Sequence, residues 1–194
     1  MELTERARRS FEENLDVTAR ASAVLPELVA HASERIWHTL LSQRKLLVCG
    51  VGPSAALSQQ LTGALVNRYE MERPGLPALS LVTDGAVLSA VADDSRFDDV
   101  FARQISALGQ EGDLLVAITM SGQSPTTTAA ISAAHDRQMT VLLLNGHDGG
   151  HACDALSQSD LEIRVPAWTA ARIHECHQLI IHCICELIDS QLGG

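Results

Sequence analysis

Aromatic side chains make up only 3% of this 194-residue chain, so its core has to be aliphatic, built from the Leu, Ile, Val and Ala of a 46% hydrophobic composition. Clusters of Lys and Arg are missing, and the net charge is -10. A surface of that sign repels a phosphate backbone at long range, which argues against nonspecific nucleic-acid binding. No apolar run reaches membrane-spanning length, and residues 1–9 carry charges where a secretory signal needs a hydrophobic segment, so a cytoplasmic protein is expected. No CxxC pair occurs among Cys49, Cys153, Cys176, Cys183 and Cys185. The last three fall in an aliphatic helical pattern, where a thiol behaves as a small apolar side chain, and reduced structural cysteines are expected.

What is present is a regular alternation. Leu3, Ala7, Phe11 and Leu15 recur every four residues between charged ones, and after Pro26 a second helical face carries Leu28, Val29, Ala32, Ile36, Leu40 and Leu41. That is more helix than one sheet face needs, so oligomerisation through these helices is expected. Short apolar runs then predict strands at 46–49, 78–82, 114–119, 140–144 and 161–165. Helices are predicted at 54–69, 85–93, 97–108, 124–137, 149–157 and 169–191. Continuous apolar strands separated by helices indicate an α/β fold, a parallel sheet covered on both faces. The expected organisation is one domain over 1–194, with residues 1–44 as an N-terminal helical extension and 45–194 as the α/β core.

Two strand ends carry small-residue turns: Gly50-Val51-Gly52-Pro53-Ser54 and Thr119-Met120-Ser121-Gly122-Gln123-Ser124. A strand that passes through such a turn into a helix leaves backbone N–H groups free for an anion. Gly122 lets the backbone approach closely, Ser121 and Ser124 can donate to phosphate oxygens, and Ser124 precedes a Pro suited to the first helical position. The GxxxxGK[ST] pattern is absent, so nucleoside triphosphate hydrolysis is not expected.

Several further groups accompany these turns: Asn67-Arg68-Tyr69-Glu70, Glu72-Arg73-Pro74, Thr83-Asp84, Asp148-Gly149-Gly150, Glu162-Ile163-Arg164-Val165-Pro166, and Ala171-Arg172-Ile173-His174-Glu175 through His182. Together with Ser121-Gly122-Gln123-Ser124 they resemble the sugar isomerase (SIS) domain family. The likeness is to the branch that joins phosphoheptose isomerases and DiaA-type initiator-associating proteins. The resemblance implies a three-layer αβα sandwich around a five-stranded parallel sheet, and a homotetramer with sites at subunit interfaces. It also implies a sugar-phosphate pocket lined by Ser54, Thr119, Ser121, Gly122 and Ser124, with Asp84 nearby.

The same resemblance exposes departures. Isomerases of the family hold zinc with a His and a Glu four apart on the helix after the first turn, and a Gln and a His eight apart on the final helix. Here these positions read Gln60, Ala64, His174 and His182. Ala171 replaces an Asp, while Val51 and Pro53 replace an Asn and a Gly. Gln60, His174 and His182 are the residual metal candidates, Glu175 and His182 the candidates for acid–base catalysis, and His147 and His151 flank a turn expected to shape the pocket rim. With the carboxylate gone, binding without turnover is the expectation. It describes a homotetrameric regulator that binds the replication initiator DnaA, keeps a sugar-phosphate pocket and needs no cofactor. The alternative is a sedoheptulose 7-phosphate isomerase with an altered zinc site. A sugar-phosphate sensor is a third possibility.

Overall fold

The computed structural model describes residues 2–193. Two helices come first, α1 (Leu3–Val24) and α2 (Pro26–Leu41), the latter with its proline in the first turn. The sheet strands are β1 (Leu46–Gly50), β2 (Ala78–Ser80), β3 (Leu114–Ile118), β4 (Thr140–Asn145) and β5 (Leu161–Arg164). Between them run α3 (Pro53–Val66), α4 (Gly85–Asp94), α5 (Val100–Leu108), α6 (Pro125–Asp136) and α7 (Gly150–Asp154), and α8 (Ala170–Gly193) closes the chain. All four strand pairings are parallel, in the order β2-β1-β3-β4-β5. The expected α/β class and the five-stranded parallel sheet are what the chain forms.

Every residue of β1 and β3 is buried, because helices lie on both faces. Alternation along the strands sorts their side chains into two cores. Leu46, Val48, Val116, Ile118 and Leu144 face α2, α3 and α8. Leu47, Leu115, Ala117, Val141 and Leu143 face α5 and α6. By contrast α1 buries only Val17 and Ala21.

Among the boundaries that differ from the sequence pattern, two helical ones have identifiable reasons. The helix expected to reach residue 69 stops at Val66, because Arg73 donates to the carbonyls of Ala64 and Leu65 at 2.8 and 2.9 Å and closes the last turn of α3. The segment expected as one helix over 97–108 opens with a 3-10 turn, Phe97–Asp99, before α5. Among the described residues, no helix is long and apolar enough to cross a membrane.

Candidate active site

β1 is followed in sequence by β2 on one side and paired with β3 on the other, and Gly50 lies in register with Ile118. The turns leaving β1 and β3 therefore flank the point where the strand order reverses, which is where open parallel sheets bind ligands.

At the first turn, a Cβ on Gly50 would lie 2.6 Å from the Ser54 carbonyl oxygen, so glycine is what allows α3 to start so close to the strand. Ser54 is buried in the first turn of α3, and its Oγ stands 3.2 Å from His174 Nε2 on α8. Burial pushes the His174 imidazole below its ordinary value of 6.5. At neutral pH the ring is uncharged and holds a lone pair that can take a proton. Further along the same two helices, Gln60 Nε2 lies 2.6 Å from His182 Nε2, with the Tyr69 ring centroid 5.9 Å from that of His182. α8 is continuous, so His182 stands about 12 Å along the helix from His174.

The metal candidates thus divide into two pairs, His174 with Ser54 and His182 with Gln60. Zinc takes four donors in a tetrahedron, and a catalytic site gives it three protein ligands. One amide and one imidazole do not fit that requirement, and Ala64, one turn beyond Gln60, has only a methyl group. Among the described residues no three His, Cys, Asp or Glu side chains converge.

The second turn is an anion cradle in its geometry. Among the described residues, the N–H groups of Ser121, Gln123 and Ser124 donate to no backbone carbonyl. Ser124 occupies the N-cap of α6 with Pro125 behind it, yet its hydroxyl makes no capping bond. Thr119 is buried, and its Oγ1 accepts the Gly122 N–H at 3.3 Å. Gly122 has φ +66°, and a Cβ there would stand 1.8 Å from the Gly149 carbonyl oxygen, so residues 146–150 are pressed against the cradle.

Other candidates are engaged elsewhere. Asp84 caps α4, its Oδ1 accepting the N–H groups of Ala86 and Val87 at 3.0 and 3.1 Å. Glu175 accepts from Arg172 and Asn14, each at 2.6 Å, and ties α1 to α8. His147 donates its backbone N–H to Ala167 and packs its ring 5.1 Å from that of Trp168. His151 is exposed, 4.0 Å from Asp154. His177 is fully buried, and its Nε2 donates to the Asn145 carbonyl at 3.0 Å.

Sequence reasoning missed the polar network around Asn145, Glu162 and Arg164 beneath the cradle. The available signal was an Asn ending the apolar run Val141-Leu142-Leu143-Leu144, a place where a polar side chain must find partners.

A model of the SIS domain matches residues 11–146. A phosphoheptose isomerase of Chromohalobacter salexigens is 47% identical over 100% of this chain and 98% of its own length. One of Methylococcus capsulatus is 46% identical over 98% and 97%. Among solved structures, phosphoheptose isomerase GmhA from Neisseria gonorrhoeae superposes with a TM-score of 0.93 at 38% identity, covering 97% of this chain and all of that one. A phosphoheptose isomerase from Francisella tularensis gives 0.96, also at 38% identity, over 98% of this chain and all of that one.

These findings overturn the expectation of a DnaA-binding regulator that is not an enzyme. The relatives matched over the full length bear the names of enzymes. That expectation weighed the missing carboxylate at position 64 too heavily. Two imidazoles remain hydrogen-bonded between α3 and α8, His174 to Ser54 and His182 to Gln60, so acid–base capacity did not leave with one side chain.

Proposed function

The chain belongs to the SIS domain family, and from that premise we propose that it is a sugar-phosphate isomerase of the phosphoheptose isomerase type, interconverting a seven-carbon ketose phosphate and its aldose. The observation that carries this reading is the Ser54–His174 pair at 3.2 Å on one side of the switch point, with the open N–H cradle of residues 121–124 on the other. In this reading Ser121, Gly122, Ser124 and Thr119 hold the phosphate, while the sugar chain runs back toward α3 and α8.

Ketose–aldose exchange moves a proton between adjacent carbons. Neutral His174 takes the proton from the carbon beside the carbonyl, and the C–H electron pair shifts to make an enediolate. The protonated ring then returns the proton to the neighbouring carbon. Ser54 fixes the imidazole and shuttles the hydroxyl proton between the two oxygens of the enediolate, while Gln60 and His182, about 12 Å further along α8, lie out of reach of those atoms. The donor set favours direct hydrogen bonding between Gln60 and His182 over metal ligation. The reading includes a homotetramer.

Incubation of the purified protein with sedoheptulose 7-phosphate, following aldose formation by NMR, tests the assignment. Turnover that His174→Gln lowers at least 100-fold is the expected outcome, and absence of turnover with and without added zinc would overturn it. Elemental analysis of the active protein should give well under one zinc per chain.

A further inference from the structure

We propose that Asn145 is the positioning residue of the phosphate cradle, an inference that rests on reading residues 119–124 as the phosphate-holding loop. Asn145 ends β4, is fully buried, and uses every polar atom of its side chain. Its Oδ1 accepts the Gly146 N–H at 2.9 Å, and its Nδ2 donates to the Gly149 carbonyl at 2.8 Å and to Glu162 Oε1 at 2.9 Å. Its backbone carbonyl accepts from the Val165 N–H and from His177 Nε2. The residue is therefore fixed to β5 and α8 while it holds the turn after its own strand.

That turn braces the cradle. The Gly149 carbonyl, fixed by Asn145, abuts Gly122, and Asn145 Nδ2 lies 3.1 Å from where a Gly122 Cβ would stand. A Cβ on Gly150 would lie 2.5 Å from the Ser121 carbonyl oxygen, and Ala152 N–H donates to the Gly122 carbonyl at 2.9 Å. Carbonyls of Ser121 and Gly122 turned inward this way leave the N–H groups of the loop facing out toward the cleft.

Glu162 is held in turn by Arg164, whose Nε and Nη2 donate at 2.9 and 2.5 Å, while Nη2 also reaches Cys153 Sγ at 2.9 Å. A charged acceptor strengthens the Asn145 bond. The position needs one acceptor and two donors on a planar group, which among side chains of this size only Asn supplies. Asp keeps the volume and the acceptor, but it sets a carboxylate oxygen against the Gly149 carbonyl and Glu162.

The test compares wild-type protein with Asn145→Asp, measuring inorganic phosphate affinity by calorimetry and then KM and kcat with the sugar phosphate. We expect phosphate Kd and KM to rise at least tenfold in the variant, with kcat within threefold and the circular dichroism spectrum unchanged. A phosphate Kd within twofold of wild type overturns the proposal, as does a fall in kcat at unchanged KM, or a wild-type protein that binds no phosphate. Should Asn145→Asp fail to fold, Asn145→Ser, which keeps one donor, replaces it. A three- to tenfold weaker phosphate Kd supports the proposal, and wild-type affinity overturns it. A wild type that binds phosphate without turning over the sugar sinks the isomerase reading alone, since the phosphate arm judges Asn145 without turnover.

Discussion

Two histidines one turn apart on α8, their ring centroids 6.4 Å apart, have different work because one faces the cleft and the other does not. His174 reaches Ser54 and sits below its ordinary pKa through burial. A general base must be unprotonated, so the rate should hold as pH falls through 6.5 and decline only below it, with kcat/KM against pH as the measurement. His177 is held down to about 4 by burial, against an ordinary 6.5. The unfolded chain binds its proton first, so His177 stabilises the fold fully above pH 6.5, and that contribution is lost as pH falls from 6.5 toward 4. The shift is worth on the order of 3 kcal/mol. Urea denaturation between pH 7 and 4 should show a decline of about that size, and the His177 ring resonance should stay in its neutral position down to about pH 5.

At the level of elements, the C-terminal end of α3 is tied to α8 through the ion pair of Arg73 with Asp189. Arg73 and Asp189 are nearly completely buried and 2.7 Å apart, and Asp189 also accepts the N–H groups of Glu70 and Met71 at 3.1 and 3.0 Å. Burial alone would raise the Asp189 carboxyl, but the bonds from Met71, Arg73 and Glu70 outweigh it and hold it below its ordinary 3.8. Its contribution is therefore present above pH 3.8 and lost as pH falls below that, a window separate from that of His177. Asp189→Asn leaves Arg73 buried without its counter-charge, and we expect a loss of about 3–5 kcal/mol at pH 7 by urea denaturation. The five strands were legible in the sequence because each is an apolar run bounded by turn residues, and a fully buried parallel strand needs nothing else. The edge strand was read two residues too long, since Leu81 and Val82 continue the apolar run although pairing by β2 residues ends at Ser80. The turn from β3 into α6 was legible for a similar reason, as Gly, Ser and Pro have local conformational meanings. The pairs Ser54–His174 and Arg73–Asp189 were not, because their partners lie 120 and 116 residues apart, and Gln60 and His182, 122 residues apart, were grouped only through the family resemblance. Only the packing of α8 against α3 brings them together. Composition at one position, such as Ala64, therefore said less about chemistry than the cleft does.

For the whole molecule, the unbalanced feature is the apolar surface of α1 and α8. Leu3, Phe11 and Leu15, all on the stripe of α1 that recurs every four residues, are 82%, 73% and 69% exposed, and Leu179 on α8 is 47% exposed. Beside them runs a groove of about 440 Å³ lined by Leu25, Val29, Leu179, Ile180 and Leu187. Under the proposed homotetramer, apolar surface of this kind is where copies meet, since in the single chain α1 buries only Val17 and Ala21 among its described residues. Covering Phe11 and Leu15 with a neighbouring copy is worth roughly 1.5–3 kcal/mol per side chain, repeated in every protomer. Light scattering on wild-type protein should therefore give a mass near four times 20.8 kDa. Phe11→Glu with Leu15→Glu should shift it toward a single chain, because each charge would have to be buried unpaired in the assembly. In the monomer both side chains face water, so the double variant should keep native circular dichroism and separate loss of assembly from loss of fold. α1 is tied to α8 near His174 by Asn14–Glu175 and by Arg172, which donates to the Ser10 carbonyl. Dissociation should accordingly loosen the start of α8 and lower turnover. A wild-type protein that runs at 20.8 kDa at micromolar concentration would leave the exposed stripe of α1 without a role in assembly.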